Sequence, residues 1–394
     1  MRNFLRKAAG VITVLFTAAV TFAGCADMRN AGTAKEDGTT KIKPAPASFS
    51  ISGISKHGNV TLDAGFDDMK KNNVEVGDII TVYVGDNEYD VPVGTSYTDA
   101  DSGKMICRFD LEDNRVVLAV NMGSFAAEAG IGEKQATEEE PGYKWDIKIP
   151  TVKLVLKEKR GYADEYSARN LTRTNGRGDY AALTDEEFAN FRAVSVAGMK
   201  ENLLYRSSTP LDSDIKRNEY VMAAMEKAGI KTVVNLGDSV EAMKSFASYA
   251  GSYYSKCNII NPEMEYDFES AEFAERVRDS VLFITGNEGP YLIHCKEGKD
   301  RTGILCAVLE CFAGAPADDV INDYMISYYN FYNVRKSDAA YGIILNNNLI
   351  KTLNELFDVD DIRTAKLKAE AEEYLLSAGL TENDLNALRE ILIK

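Results

Sequence analysis

Tyr291-Leu292-Ile293-His294-Cys295-Lys296-Glu297-Gly298-Lys299-Asp300-Arg301-Thr302-Gly303 is the stretch on which the reading of this chain turns. It opens on an apolar, strand-like run and feeds a helix-like run from Ile304 to Phe312, so the residues between form a strand–loop–helix turn. The loop carries one thiol, three basic residues (Lys296, Lys299, Arg301) and two glycines (Gly298, Gly303). A helix N-terminus offers unpaired N–H groups and partial positive charge, which attract anions. A Cys at the base of such a loop is expected to lose its proton easily, because the same donors stabilise the thiolate. Thiols in comparable settings fall from about 8.5 to roughly 3.5–7.5. Arg301 can hold two phosphate oxygens in its planar fork. Thr302 can donate its hydroxyl to the sulfur as phosphate leaves. These residues suit attack on a phosphomonoester through a cysteinyl-phosphate intermediate.

Cys-x5-Arg-Thr preceded by His resembles the signature loop of the cysteine-based protein-tyrosine phosphatase superfamily. The variant His-Cys-x-x-Gly-Lys-Asp-Arg-Thr-Gly is similar to the bacterial tyrosine-phosphatase-like branch, which also acts on phosphoinositides. The resemblance covers about residues 160–394. It implies a protein-tyrosine phosphatase, with dual specificity open. It places Cys295, Arg301 and Thr302 in catalysis and the phosphate within His294, Lys296, Glu297, Gly298, Lys299 and Gly303. No cofactor and no metal are implied.

The chain has 394 residues, room for two or three domains. Its net charge of −16 lacks the basic surplus that nucleic-acid binders use. Arg2, Arg6 and Lys7 precede an apolar run from Ala8 to Gly24, and Phe22-Ala23-Gly24-Cys25 looks like a bacterial lipobox with Cys25 lipidated. An uncleaved membrane anchor is the alternative. Either places the rest of the chain outside the cytoplasmic membrane, held there as a lipoprotein or secreted. The expected organisation is a signal peptide over 1–24, a polar tether over 25–47, a β-rich accessory domain over 48–157 and a phosphatase domain over 158–394.

Ile79 to Val84, Gly85-Asp86-Asn87 and Glu88 to Val93 make a hairpin signal. Met105 to Phe109 with Arg115 to Val120, then Trp145 to Ile149 and Val152 to Leu156, add strands. Residues 132–142 read as an acidic, solvated loop. Gly58-Asn59-Val60, Val76-Gly77-Asp78, Gly94-Thr95-Ser96-Tyr97 and Asn121-Met122-Gly123-Ser124 together resemble the C-terminal β-barrel domain of SAM hydroxide adenosyltransferases. That family's catalytic domain is missing, so no activity follows, and a small barrel or sandwich for docking or spacing is expected.

Beyond residue 160 the pattern becomes α/β. Thr184 and Glu187 fit a capping box. Glu219 to Ala228 reads as a helix stopped by Gly229. Lys231 to Leu236 is a buried strand, Val240 to Ala250 a helix, Tyr253 to Ile260 a strand and Phe268 to Thr285 a helix. Such alternation predicts a central, mostly parallel sheet flanked by helices, with the signature loop at a strand's C-terminal end. Helices continue over 318–330, 340–357, 364–377 and beyond. Arg206, in Leu204-Tyr205-Arg206-Ser207-Ser208, either serves the site or makes a structural ion pair.

A leaving oxygen needs a proton. The resemblance places the donor on the loop Asn261-Pro262-Glu263-Met264-Glu265-Tyr266-Asp267, with Asp267 first and Glu265 and Glu263 as rivals. Asp300 is the second candidate, or else it holds loop backbone. Lys296 and Lys299 either add charge for inositol lipids and inositol phosphates or are merely exposed. The Tyr-rich run from Asp323 to Tyr332 either walls the pocket or forms helix core. His294 is expected to hydrogen-bond backbone near Cys295.

His57 and His294 are the chain's two histidines, too few for a His-rich metal site, and no Gly-x-Ser-x-Gly elbow is present. Cys107, Cys257, Cys306 and Cys311 sit in apolar runs and read as core thiols. Two other classes stand beside the phosphatase reading: an inactive phosphate-binding lipoprotein module, and sulfur transfer.

Overall fold

The computed structural model of the chain describes residues 45–138 and 141–394. The leader, the lipobox reading at Cys25, the tether before residue 45, and Glu139 and Glu140 lie outside them. Among the described residues no helix is long and apolar enough to cross a membrane.

Alternating apolar residues bring seven strands into a closed barrel. They are β1 (Ala47–Ile54), β2 (Val60–Leu62), β3 (Ile79–Val84), β4 (Asn87–Gly94), β5 (Met105–Asp110), β6 (Arg115–Val120) and β9 (Thr151–Glu158), in the order β1-β2-β6-β5-β4-β3-β9. Val60, Ile80, Val82, Val91, Leu118 and Val152 fill its interior. The expected β3–β4 hairpin forms, with Val84 opposite Asn87. The 132–142 reading needs correction: β7 (Gly132–Ala136) pairs with β8 (Tyr143–Ile147) as a separate hairpin. Gly132-Glu133-Lys134-Gln135-Ala136 has no apolar alternation to announce a strand; its backbone pairing across the turn decides. Two short helices, Phe66–Lys71 and Phe125–Glu128, interrupt the all-β pattern, the second capped by Ser124.

The second sheet is made of β10 (Arg192–Ala193), β11 (Leu204–Ser207), β12 (Thr232–Asn235), β13 (Asn258–Ile260) and β14 (Tyr291–His294), in the order β10-β11-β14-β12-β13. Only β10 runs antiparallel to its neighbour. Helices Asn218–Ala228 and Ala271–Thr285 form as the periodicity predicts, the first ended by left-handed Gly229 and the second capped by Ser270. Two expectations shorten. The helix from Val240 ends at Ser245. The strand over 253–260 is reduced to β13, because Tyr254–Lys256 winds as a 3-10 turn that buries Tyr254.

The signature helix, Asp300–Ala313, is buried at every residue from Thr302 on. Residues from the central sheet and from helices Ala317–Tyr332 and Leu367–Ser377 pack in the same core. Ala339–Phe357 is one continuous helical run whose middle, Leu345–Ile350, is π-wound. The molecule is thus a mixed α/β structure. Helix Ala163–Arg169 joins its two sheet systems, tied to the barrel by Tyr166 Oη with Thr95 Oγ1 at 2.9 Å and, just beyond the helix, by Asn170 donating to Asp99 at 2.8 Å.

Candidate active site

β14 sits in the middle of its sheet and delivers Cys295 to its C-terminal end, where the residue is 4% exposed. The loop that follows is held from outside by its carbonyls. Thr209 N donates to Lys296 O at 3.1 Å. Asn190 Nδ2 donates to Glu297 O at 2.9 Å, and Arg206 Nη2 to Gly298 O at 2.9 Å. Ser327 Oγ also reaches Gly298 O, at 3.3 Å. In a trans peptide the N–H points away from its C=O. Carbonyls pulled outward therefore turn the following N–H groups inward, toward the space above Cys295. That arrangement suits an oxyanion.

Gly298 makes this wrapping possible. Its φ is +67°, and a Cβ there would lie 2.0 Å from Ser207 O. Gly303 is inside the helix, where a Cβ would meet the Tyr324 ring at 2.6 Å, so its missing side chain allows that close packing.

Arg301 and Thr302 occupy the first turn of the signature helix. Arg301 donates to Met264 O at 3.1 Å and weakly to Leu236 O at 3.4 Å, and its guanidinium stacks 4.7 Å from the Tyr266 ring centre. Its Nε and the Thr302 hydroxyl are buried and have no hydrogen-bond partner among the described residues. Two unsatisfied donors beside a cradle of inward N–H groups leave room for a bound anion.

The acid candidates differ in setting. Asp267 is exposed, one residue from Tyr266, and its side chain makes no hydrogen bond or ion pair among the described residues. Glu263 and Glu265 are exposed on the same loop, Glu263 with left-handed backbone. Asp300 accepts from Tyr328 Oη at 3.1 Å and lies 3.6 Å from Lys299 Nζ.

Neither lysine is free. Lys296 is exposed and pairs with Asp212 at 3.1 Å. Lys299 is wedged between the Tyr328 and Tyr332 rings, 3.3 Å from Glu297. Burial opposes its charge, but Asp300 and Glu297 outweigh burial and raise its pKa. Glu297 accepts from Arg173 at 2.8 Å and from Tyr332 at 2.8 Å. Burial would raise its pKa, but Lys299 and Arg173 hold it down. The loop's one glutamate is thereby tied off.

His294 Nε2 pairs with Tyr254 Oη at 2.8 Å, and the ring also interacts with the Cys295 backbone, as expected. Burial pushes the imidazole pKa down to about 3. The ring is neutral scaffold.

Arg206 proves to be both an ion pair and a support. It pairs with Asp323 while holding Gly298 O, and does not line the site. Sequence reasoning missed the network around it: Asn190, Arg192, Asp323, Ser327 and Glu310. Arg192 Nε donates to Asp323 at 2.8 Å. Burial would raise the Asp323 pKa, but Arg192 and Arg206 keep it below the usual carboxylate range. Burial, then Asp323, push Glu310 well above that range. They come from segments far apart in the chain, residues 190–192, the signature helix and helix Ala317–Tyr332, and meet only in the folded core. The Tyr-rich run serves both expected purposes: Tyr324 packs under Gly303, and Tyr328 and Tyr332 face Lys299. Cys107, Cys306 and Cys311 are buried free thiols and Cys257 is half-buried, with burial raising Cys107 and Cys306 to about 12 and Cys257 to about 11.

The chain was compared with known proteins. A "Tyrosine-protein phosphatase" of Nostoc commune is 45% identical over 40 residues, 10% of this chain and 14% of that relative's length. Among solved structures, TpbA of P. aeruginosa in complex with pTyr shares 15% identity over 46% of this chain and 88% of that one, with a TM-score of 0.27. The core catalytic domain of the PP-IP phosphatase SIW14 of S. cerevisiae shares 18% over 40% and 85%, with a TM-score of 0.26. At these scores neither likeness says what this chain acts on. The sequence profile of the tyrosine phosphatase family matches residues 186–394, just over half of the chain and all of the signature region. The chain belongs to the tyrosine phosphatase family.

Proposed function

We propose that this chain hydrolyses phosphomonoesters through Cys295, with protein phosphotyrosine as its first substrate class and other phosphorylated side chains second. The observation that carries the reading is the loop held by its carbonyls around a buried Cys295, with Arg301 Nε and Thr302 Oγ1 left as unpaired donors among the described residues. Cys295 Sγ attacks phosphorus as a thiolate, and the P–O bond to the alcohol breaks. The alcohol oxygen takes a proton from Asp267, our first choice, or from Asp300. Water then attacks the phosphorus of the thiophosphate ester, the carboxylate takes its proton, and phosphate leaves with the thiolate restored. Arg301 and the inward N–H groups carry the negative charge throughout.

Both signature lysines are committed to carboxylates, which disfavours the second reading, a phosphoinositide or inositol phosphate substrate. We also read residues 48–157 as an accessory β domain before a phosphatase domain over 158–394. Cys25 is read as a lipid attachment site that holds the protein to the outer face of a bacterial cell membrane. Radiolabelled fatty acid retained by wild type and lost in Cys25→Ala tests the anchor.

The activity test is vanadate-sensitive hydrolysis of a phosphotyrosine peptide, a phosphoserine peptide, phosphoinositides and inositol hexakisphosphate. Turnover by wild type and not by Cys295→Ser supports the mechanism. Equal activity of the two sinks it, and so does silence of both, which leaves an inactive binding module. Asp267→Asn and Asp300→Asn then identify the acid: its loss lowers kcat roughly 10²–10⁴-fold and removes the basic limb of the pH profile.

A further inference from the structure

The barrel does more than stand beside the phosphatase sheet. A cavity of about 330 Å3 lies between them, and Lys299 and Asp300 of the signature loop form one of its walls. The barrel turn supplies Thr98 and Asp101 on another side, and helix Ala163–Arg169 supplies Arg169. The turn is held in place: Arg169 donates to Asp101 at 2.8 Å and to Thr98 O at 3.5 Å.

Both cations that line this cavity, Arg169 and Lys299, are already paired with carboxylates. Arg169 is shared by Asp101 and Glu165, each at 2.8 Å. Lys299 is shared by Glu297 at 3.3 Å and Asp300 at 3.6 Å. Among the described residues that line the cavity, no cation is left unpaired for a further phosphate or an acidic side chain; Lys104 and Lys351, outside the lining, also act on Asp101. The remaining polar lining is uncharged, and Ile343 and Leu171 add apolar surface. Asn348 Nδ2 donates to Tyr328 Oη at 2.7 Å, and Asn347 Nδ2 to Glu165 at 2.8 Å. Both asparagines come from the π-wound segment, a distortion frequent at functional sites.

We propose that this cavity holds the uncharged residues flanking the phosphorylated side chain of a peptide substrate, so that the barrel turn Thr98–Asp101 is a specificity element of the phosphatase site. The proposal rests on the phosphomonoesterase reading above. It predicts selection against acidic flanks and against polyphosphorylated rings.

The test uses the full chain in detergent and three substrates: phenyl phosphate, a phosphotyrosine peptide with Ser, Asn and Gln flanks, and the same peptide with Asp and Glu flanks. Wild type is expected to prefer the neutral peptide. Asp101→Asn leaves Arg169 with one carboxylate fewer and shifts the neutral-to-acidic kcat/KM ratio toward the acidic peptide by up to roughly five-fold, the size of an exposed charge interaction. Asn347→Trp, from an exposed position, fills the cavity and raises KM for both peptides relative to phenyl phosphate. Peptide-to-phenyl-phosphate ratios that stay at the wild-type value in both variants overturn the proposal. So does a wild type that prefers the acidic peptide or inositol hexakisphosphate. Phenyl phosphate turnover that does not depend on Cys295 overturns the underlying reading instead.

Discussion

The barrel and the phosphatase sheet are built on opposite interiors. The barrel core is apolar. Its few buried polar side chains include Asp78 and Asp99, and each accepts from nearby backbone: Glu75 N and Arg160 N for Asp78, Thr95 N and Ser96 N for Asp99. The phosphatase interior buries Asn190, Arg206, His294, Glu310 and Asp323, and several of their partners are the outward carbonyls of the signature loop. Apolar packing stabilises without direction. A hydrogen-bonded charge fixes an orientation and is costly to break. The molecule therefore places its buried charge where a loop must hold one shape.

Removing the nucleophile should have the largest effect. Cys295→Ser is expected to lower phosphatase turnover by roughly 10⁴–10⁶-fold with the fold intact, read by single-turnover kinetics beside circular dichroism. Next comes the loop's support. Arg206→Met leaves Asp323 short of a partner and Gly298 O without its closest donor, so about 3–5 kcal/mol of stability should go, and kcat with it. If kcat survived, the buried network would be scaffold alone. The matching change in the barrel, Leu118→Ala, should cost about 2–5 kcal/mol in denaturant melts yet leave kcat/KM for phenyl phosphate within two-fold. A fall in kcat there would break the contrast between the two interiors.

The pH dependence sharpens it further. His294 is held neutral by burial, with a folded pKa of about 3 against 6.5 ordinarily. The unfolded chain binds the extra proton in that window, so the contribution of His294 is whole above pH 6.5 and lost as pH falls toward 3. Between pH 6.5 and 5 it should amount to about 2 kcal/mol, and His294→Gln should flatten the dependence in urea melts taken at both values. At the small end, Lys157→Ala breaks an exposed barrel ion pair with Asp90 and should move stability by no more than about 0.5 kcal/mol.

How much of this was legible beforehand depends on how far apart the interacting residues lie. The Thr184–Glu187 capping box, the helix ended by Gly229 and the β3–β4 hairpin are local features, and they appear where expected. The β7 strand was misread because its residues carry no alternation, and β13 came out short because Tyr254 is drawn in to His294. Asn190 was missed although it holds the loop. Its partner Gly298 lies 108 residues away, and nothing around position 190 announces that.

By itself the sequence determined the cysteine-bearing turn, the alternating α/β order around it and a strand-rich stretch ahead of it. Those are written in spacing and side-chain type, which act over one turn of helix or one hairpin. Only the tertiary structure decided that β11 lies beside β14, so that Arg206 reaches the loop, and that the barrel turn at Thr98–Asp101 closes a cavity against Lys299 and Asp300. These contacts join residues about a hundred or two hundred positions apart. Burying the strands and the signature helix in one core selects among such pairings, and no local pattern encodes them.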